Sequence, residues 1–275
     1  MNSTRRLLIA GCGDLGIRLA GRLDGWSVTG LRRNTARLPE TITLQAADLS
    51  RPDTLSSLAR EWDAVVYTAT PGERSEAGYR AAYVQGLEHL LGHIKARRFI
   101  FVSSTAVYGQ DDGEWVDEDS AAEPGAFNGR ILLEAEALAR AAGGIALRFS
   151  GIYGPGRDWL LRTLRAGGVT CRRQPPVWTN RIHAEDCAGA LAHLLKLEKP
   201  DDLYVASDRC PAPRWEVLSW LAARMGVPGP VESEGDCNRE GNRGQGKRVS
   251  AGRLFDSGFA LQYPDYRAGY GEMVA

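Results

Sequence analysis

Three glycines near the start of the chain have the spacing of a loop that binds a diphosphate. The stretch LLIAGCGDLG places Gly11, Gly13 and Gly16 between an apolar run and a helical pattern. The first permits a tight turn, the second lets the backbone approach a pyrophosphate, and the third lets the helix pack on the strand. The predicted dinucleotide loop comprises Gly11, Cys12, Gly13, Asp14, Leu15 and Gly16. The alternative is that the glycines serve turns alone.

Two arginines follow about twenty residues later, where a dinucleotide's ribose is recognised. An NAD-specific fold usually has Asp or Glu there, whereas this chain has Arg32 and Arg33. Because guanidinium groups pair with a 2′-phosphate, the sequence predicts NADP rather than NAD, unless the arginines only face water. Asp48 and Leu49, after the third strand, are predicted to contact the adenine. The predicted cofactor site also includes Thr70 and Ser103.

The pattern of apolar runs predicts an α/β fold with a doubly wound parallel sheet. Continuous apolar strands alternate with helical patterns through about residue 150, as in a sheet covered on both faces. Residues 151–275 contain more irregular Gly- and Pro-rich segments and are predicted to form a small lobe without an independent core. The predicted strands are 5–10, 26–31, 42–46, 64–69, 99–103 and 145–149. The predicted helices are 15–23, 52–60, 79–96, 159–166, 185–197, 214–225 and one that begins at Phe127.

Three later motifs carry a resemblance to a known family. They are SSTAVYG (103–109), LRFSGIYGPGR (147–157) and NRIHAEDCAGAL (180–191). With the glycine loop, their order and spacing resemble the extended short-chain dehydrogenase/reductases, the epimerase/dehydratase group that often acts on nucleotide sugars. The resemblance implies a Rossmann domain over residues 1–150 that binds NAD(P), and an α+β substrate lobe over residues 151–275. It also implies that Tyr153 belongs to the nicotinamide site.

The resemblance fails at the residues that would carry the proton chemistry. The family usually has a Tyr-x-x-x-Lys pair at the start of the helix that here reads FNGRILLEAE, where the lysine lowers the pKa of the tyrosine. This chain has Asn128 and Leu132 at those positions, and none of its tyrosines has a lysine four residues later. It is therefore similar to the atypical YeeZ-like group, which also lacks the pair. Tyr83 is another departure, because the family often has asparagine there.

Nearby groups could replace the missing pair. Ser104 matches the serine that assists the pair in the family. We predict a proton relay made of Ser104, Thr105, Tyr108 and Arg130, with Arg130 supplying positive charge. The alternative is that Tyr108 packs under the substrate lobe. The helix itself is predicted to begin with Asn128 as its N-cap.

The lobe contains several polar groups with two interpretations each. His183 and Asp186 are interpreted as structural, with Asp186 capping a helix. The segment 232–247 is either a surface loop or a flap over a site. A set of basic residues either binds an anionic substrate or lies in solvent: Arg172, Arg173, Arg181, Lys247 and Arg248.

Composition and charge exclude several classes of protein. The 275 residues include 34 basic and 34 acidic side chains, whereas proteins that bind nucleic acid or anionic membranes are usually basic. No window reads as a signal peptide or a membrane span. Five dispersed cysteines without a CxxC predict a reduced, cytoplasmic protein, in which Cys12 either packs or has a lowered pKa. His89 and His93 have metal-ligand spacing, but we predict a solvated helix face and no metal.

Three functions remain open. The first is an NADP-dependent oxidoreductase or epimerase/dehydratase with a non-standard relay, acting on a small carbonyl or sugar-nucleotide substrate; the retained Ser104 favours it. The second is an inactive NADP-binding sensor, which the missing pair favours. The third is a structural partner without a ligand, which the intact glycine loop argues against. The resemblance also implies a homodimer.

Overall fold

A seven-stranded sheet forms the centre of the fold. The structure, a computed structural model, describes residues 4–34, 38–233 and 244–275. The strands are β1 (Arg5–Ala10), β2 (Trp26–Arg32), β3 (Ile42–Ala46), β4 (Glu61–Tyr67), β5 (Lys95–Ser104), β6 (Ile145–Phe149) and β7 (Leu203–Ala206). Their spatial order is β3-β2-β1-β4-β5-β6-β7, and the pairings from β3 through β5 are parallel. The predicted α/β fold with a Rossmann-type sheet is confirmed.

The strand order reverses between β1 and β4, which are neighbours in the sheet. Residues 7–10 of β1 and 64–67 of β4 have no exposed surface. Such continuous burial is typical of a parallel sheet with both faces covered. In open α/β sheets, ligands bind outside the carboxyl ends of the strands at a reversal of this kind. The loop that begins at Gly11 therefore lies at the expected place.

Helices connect the strands and complete the rest of the chain. They are α1 (Asp14–Ala20), α2 (Glu76–Tyr79), α3 (Gly86–His93), α4 (Phe127–Ala141), α5 (Trp159–Ala166), α6 (Ala184–Lys196), α7 (Arg214–Met225), α8 (Gly252–Asp256) and α9 (Tyr266–Met273). Short 3-10 turns span Pro52–Leu55 and Thr105–Val107. No helix in the described ranges is long and apolar enough to cross a membrane.

The chain divides into two compact units. The first comprises Met1–Val107, Ala122–Arg148 and Ala188–Tyr204. The second comprises Tyr108–Ala121, Phe149–Cys187 and Val205–Ala275. The predicted boundary at residue 150 lies beside one of the points at which the chain passes from one unit to the other.

The second unit combines short strand pairs with helices. Its core includes Tyr153, Leu161, Cys171, Leu218 and Tyr266, each at most 3% exposed. Its strand pairs are Gly151–Tyr153 with Arg181–His183, Asp112–Val116 with Gly246–Val249, Thr170–Cys171 with Val231–Glu232, and Trp178–Thr179 with Ala212–Pro213. Residues 234–243 of the segment predicted as a loop or flap lie outside the described residues.

The predicted helix over 79–96 is wrong in its middle and at its end. A π-helical turn, Arg80–Gln85, separates α2 from α3. The carbonyl of Ala82 in this turn accepts a 2.5 Å hydrogen bond from the hydroxyl of Tyr67 in β4. Residues 95 and 96 belong to β5, because Ile94 has an extended backbone with φ −112° and ψ 162° and ends the helix.

Other helix and metal-spacing predictions also change. The predicted helix over 52–60 is one 3-10 turn. Asn128 is not the N-cap of α4: Ala126 is, with extended φ −95° and ψ 152° and without a side-chain capping bond. His89 and His93 do not form a fully solvated face, because their ring nitrogens contact the Leu49 and Leu58 carbonyl oxygens at 2.8 and 2.9 Å.

A buried ion pair fixes α4 to the sheet within the first unit. The guanidinium of Arg148 donates to both carboxylate oxygens of Glu136 at 2.7–3.1 Å, and the side chains are 5% and 3% exposed. The hydroxyl of Ser103, at the end of β5, donates to Glu136 Oε1 at 2.5 Å. Breaking such a pair is costly because it leaves an uncompensated buried charge.

We expect the Glu136→Gln substitution to lower the free energy of unfolding by about 3 kcal/mol or more, since the Arg148 charge loses its counter-ion. Denaturant unfolding of the purified protein measures this loss. The matched control is Asp202→Asn, which breaks an exposed pair with Arg140 and should cost about 1 kcal/mol or less. Equal losses in the two variants would contradict a stabilising role for the buried pair.

Candidate functional site

A cavity of about 450 Å³ opens at the carboxyl edge of the sheet in the first unit. Eight of its lining residues belong to the predicted cofactor site: Gly11, Cys12, Gly13, Arg32, Arg33, Asp48, Leu49 and Thr70. They come from the ends of β1, β2, β3 and β4 or from the segments that follow. The parallel strands bring these residues together because their carboxyl ends share one edge.

The three glycines of the loop are required, or leave space, for different structural reasons. Gly11 has φ +83°, and a Cβ there would lie 2.3 Å from the Cα of Ala69. A Cβ on Gly13 would meet only one carbonyl oxygen, at 3.9 Å, so the backbone is open to an approaching group. A Cβ on Gly16 would lie 2.8 Å from Ile9 Cγ2, which shows how closely α1 packs on β1. The loop therefore leaves the space that a diphosphate requires.

The two arginines flank the cavity from the end of β2. Arg32 donates from Nη1 to the carbonyl of Cys12 at 3.3 Å and is half-buried. Arg33 is exposed, and its Nη2 lies 3.8 Å from the position that a Cβ on Gly72 would take. These placements put two positive charges on one wall of the cavity.

The predicted adenine contact is held by its own turn. The Asp48 carboxylate accepts hydrogen bonds from the hydroxyl and the backbone N–H of Ser50, at 2.7 and 3.0 Å. These bonds, together with the positive charge of Arg33, lower the pKa of Asp48. The Asp48 carboxylate is therefore ionised and can accept hydrogen bonds in the cavity, where its charge is opposite to that of the two arginines.

The thiol of Cys12 is buried, and burial raises its pKa to about 11 against the opposing effect of Arg32. The packing interpretation of Cys12 is therefore correct, and the lowered pKa is wrong. Asp14 pairs with Arg18 at 2.9 Å, and Leu15 and Gly16 are buried in α1. Ser103 donates to Glu136. The cavity lining does not include Asp14, Leu15, Gly16 or Ser103, and the contact of these four residues with a cofactor stays a prediction.

The residues of the predicted relay are engaged in local bonds. Ser104 Oγ accepts from the N–H of Ala106 at 3.2 Å, and Arg130 donates to the carbonyl of Gly125 at 2.7 Å. Tyr108, in the second unit, is 2% exposed and donates its hydroxyl proton to the carbonyl of Asp117 at 2.5 Å. The hydroxyl proton of Tyr108 is thus engaged by the backbone, and the relay stays a prediction.

Tyr153 and His183 belong to a buried aromatic group in the second unit. Tyr153 stacks on Tyr270 with centroids 4.3 Å apart, and His183 lies 3.9 Å from the ring centre of Tyr263. The Nδ1 of His183 accepts from the N–H of Glu185 at 3.3 Å, so this residue caps α6. Both side chains are 3% exposed, and His183 is structural as predicted.

Asp186 lies in the first turn of α6, as predicted, where a negative charge suits the helix dipole. Its two carboxylate oxygens accept from the backbone N–H groups of Gln262 and Tyr263, at 2.6 and 3.0 Å. Asp186 therefore ties α6 to the chain before α9 within the second unit. It is structural, as predicted, but by a different contact.

The predicted anion-binding set is mostly engaged in contacts within its own unit. Arg172 donates to the carbonyl of Gly244, and Lys247 donates to the carbonyl of Tyr108 at 2.6 Å. Arg248 lies between two tryptophan rings, at 5.2 and 5.0 Å from their centres, and Arg173 lies 5.5 Å from the ring of Trp215. Arg181 is 7% exposed, and its Nη1 has no hydrogen-bond partner among the described residues.

Comparison with known proteins decides the family. The sequence profile of the NAD dependent epimerase/dehydratase family matches residues 7–206. The chain belongs to this family. No curated protein matches the chain.

Solved structures extend the family likeness over the whole chain. A protein from Methylobacillus flagellatus, named at the level of an NAD-dependent epimerase/dehydratase, is 40% identical with TM-score 0.84, covering 99% of this chain and 98% of that one. A conserved protein of unknown function from Silicibacter pomeroyi is 28% identical with TM-score 0.76, covering 98% of each chain. MoeE5, solved with UDP-glucose and NAD, is 23% identical with TM-score 0.79, covering 98% and 97%. This last likeness shows the fold alone.

The cavity also includes lining residues that the sequence analysis did not predict. Several of them follow β4, where the break in the apolar pattern before the next helix could have indicated a lining segment. Small residues there leave the cavity open. The missed lining residues are Leu31, Asn34, Ala47, Ser50, Ala69, Gly72, Glu73, Gly78, Ala81 and Ala82.

The second unit contains a buried carboxylate that sequence reasoning also missed. Asp208 is 2% exposed, and its Oδ1 accepts from the N–H of Cys210 at 3.0 Å. Its Oδ2 has no hydrogen-bond partner among the described residues. Burial raises the pKa of Asp208 to about 7, although the Cys210 bond and the charge of Arg181 act in the opposite direction.

We expect the contribution of Asp208 to the free energy of unfolding to fall as the pH rises from about 4 to about 7, because folded Asp208 holds a proton that the unfolded chain releases. Asp208→Asn should match the wild type at the acid end and exceed it above pH 7, by on the order of a few kcal/mol. Denaturant unfolding across this pH range measures the difference. Asp53→Asn, at an exposed site, is the control. A stability difference that does not change with pH would refute the buried-carboxylate explanation.

Proposed function

We propose that the protein binds NADP in the cavity of the first unit and acts as an oxidoreductase or epimerase/dehydratase. The observation that carries this proposal is the combination of an open glycine loop with two guanidinium groups on one cavity wall. Gly13 leaves its backbone open to a diphosphate, and the N-terminus of α1 favours negative charge there. When bound, the nicotinamide supplies hydride chemistry.

The preference for NADP over NAD rests on Arg32 and Arg33. MoeE5 was solved with NAD, so the fold by itself does not favour the phosphorylated cofactor. A carboxylate at the end of β2 would accept from a ribose 2′-hydroxyl, whereas a guanidinium pairs with a 2′-phosphate. Arg33 is the better candidate for this pairing, because it is exposed and Arg32 already donates to the loop carbonyl of Cys12.

The proposed substrate is a small carbonyl compound or a sugar nucleotide. Support comes from the family and from MoeE5, which was solved with UDP-glucose.

A second candidate function is a catalytically inactive NADP sensor. It is favoured by the residues at the family's Tyr and Lys positions, which are Asn128 and Leu132. Leu132 is 4% exposed and packs in the core, so it offers no charge to a cofactor. An asparagine does not exchange a proton at neutral pH. This candidate predicts cofactor binding without turnover.

We expect NADPH to bind at least about tenfold more tightly than NADH, because only NADPH has the 2′-phosphate that Arg33 and Arg32 can pair with. Arg33→Ala should remove most of this preference and leave NADH binding unchanged. Isothermal calorimetry of the wild type, Arg32→Ala and Arg33→Ala with both cofactors measures it.

The control for this experiment is Arg97→Ala, which removes an arginine that is 87% exposed at the opposite end of β5. It should leave both affinities unchanged. Equal affinity of the wild type for NADPH and NADH would overturn the NADP preference. Binding of neither cofactor would overturn both candidate functions.

A further inference from the structure

Two tyrosines of the first unit have hydroxyl groups that no residue in the described ranges engages. Tyr79 ends α2 and Tyr83 lies in the π-helical turn, and both are half-buried. Neither hydroxyl is among the fully buried side-chain atoms that lack a hydrogen-bond partner in the described residues. By contrast, Tyr67, Tyr108 and Tyr153 each donate to a backbone carbonyl.

The segment that carries these tyrosines forms one wall of the cofactor cavity. Gly78, Ala81 and Ala82 line the cavity. Tyr79 and Tyr83 are the residues that directly follow Gly78 and Ala82. The same short segment thus borders the cavity and carries the two phenols.

Ring contacts place Tyr83 between β5 and the start of α4. Its ring lies 6.1 Å from that of Phe101 in β5 and 5.5 Å from that of Tyr79. The ring of Tyr79 in turn meets Phe127, the first residue of α4, edge-on at 5.5 Å. A Cβ on Gly129 would lie 2.6 Å from the carbonyl oxygen of Ala106, so α4 begins against the segment that follows β5.

The cavity described above covers the ends of β1, β2 and β3 and the segment after β4, which suits the adenosine half of a dinucleotide. The other half must then extend along the same edge toward β5. Tyr83 borders that path, because it packs on β5 three residues before Ser104. Asn128 follows Phe127 in the first turn of α4.

We propose that the hydroxyl of Tyr83 contacts the nicotinamide-ribose half of the bound cofactor and provides the phenol that α4 lacks. This inference rests on the proposed function, because it requires a dinucleotide in the cavity. It makes Tyr83 a catalytic residue by contact with the cofactor, in a position that does not depend on Asn128 or Leu132.

Burial, together with the neighbouring Tyr79, raises the pKa of Tyr83 to about 12. The phenol therefore keeps its proton at neutral pH and can donate a hydrogen bond to the cofactor or to a reacting oxygen. No charged side chain is needed to hold it in place, since its position is set by the rings of Phe101 and Tyr79.

The test compares a whole cofactor with its adenosine half. Calorimetry measures the affinity of NADPH and of adenosine 2′,5′-bisphosphate for the wild type, Tyr83→Phe and the matched control Tyr79→Phe. We expect Tyr83→Phe to lower the affinity for NADPH about two- to tenfold, as for the loss of one hydrogen bond. The affinity for adenosine 2′,5′-bisphosphate should not change. Tyr79→Phe should change neither affinity.

The outcomes separate this inference from the proposed function. Unchanged NADPH affinity in Tyr83→Phe, or an equal loss for both ligands, would overturn the contact while leaving cofactor binding intact. If only Tyr79→Phe lowers the affinity for NADPH, then Tyr79 makes the contact rather than Tyr83, and the inference is overturned. If the wild type binds neither ligand, the proposed function fails and the inference fails with it.

Discussion

The cavity depends on the close approach of two backbone segments at the carboxyl ends of β1 and β4. At Gly11 a side chain would overlap the backbone of Ala69, and φ there is +83°. Only glycine meets both conditions, because other residues rarely adopt this conformation and would need the space that Ala69 occupies. Gly13, whose backbone is open to an approaching group, then lies at the N-cap of α1. The loop geometry thus follows from how closely β1 and β4 pair in the sheet.

This constraint extends to the side chains on the rest of the edge. The parallel register pairs Ala10 with Leu31 and Leu31 with Gln45. Arg32 and Asp48, which follow these paired residues, therefore lie beside the glycine loop. The half of the edge that includes β5 is held by a different interaction, the buried Glu136–Arg148 pair. Ser103 donates to this pair, so β5 and α4 keep a fixed relation inside the first unit. One half of the carboxyl edge is shaped by backbone contact, and the other half is held by a buried ion pair.

The sequence predicted the parts of the structure that depend on local pattern. Apolar runs located the strands, and the spacing of glycines located the loop. It did not predict the break in the 79–96 helix, where the carbonyl of Ala82 accepts a hydrogen bond from Tyr67 of β4, because a local pattern carries no information about such a distant contact. It also did not predict the contacts of Asp186, since a pattern at a helix start carries no information about the distant N–H groups of Gln262 and Tyr263. Such errors arise wherever a long-range contact outweighs a local preference.

The contrast between the two halves of the edge bears on what the family fold requires. At the predicted cofactor loop, a Cβ on Gly11 would overlap the backbone of Ala69, which penalises any other residue there. Asn128 and Leu132 on α4 already carry side chains, so no such backbone overlap selects their residue types. A phenol can then be supplied from any element that borders the same space. Tyr83, whose ring packs on Phe101 of β5, is the proposed source of that phenol, so the side chains of Asn128 and Leu132 do not by themselves argue against chemistry.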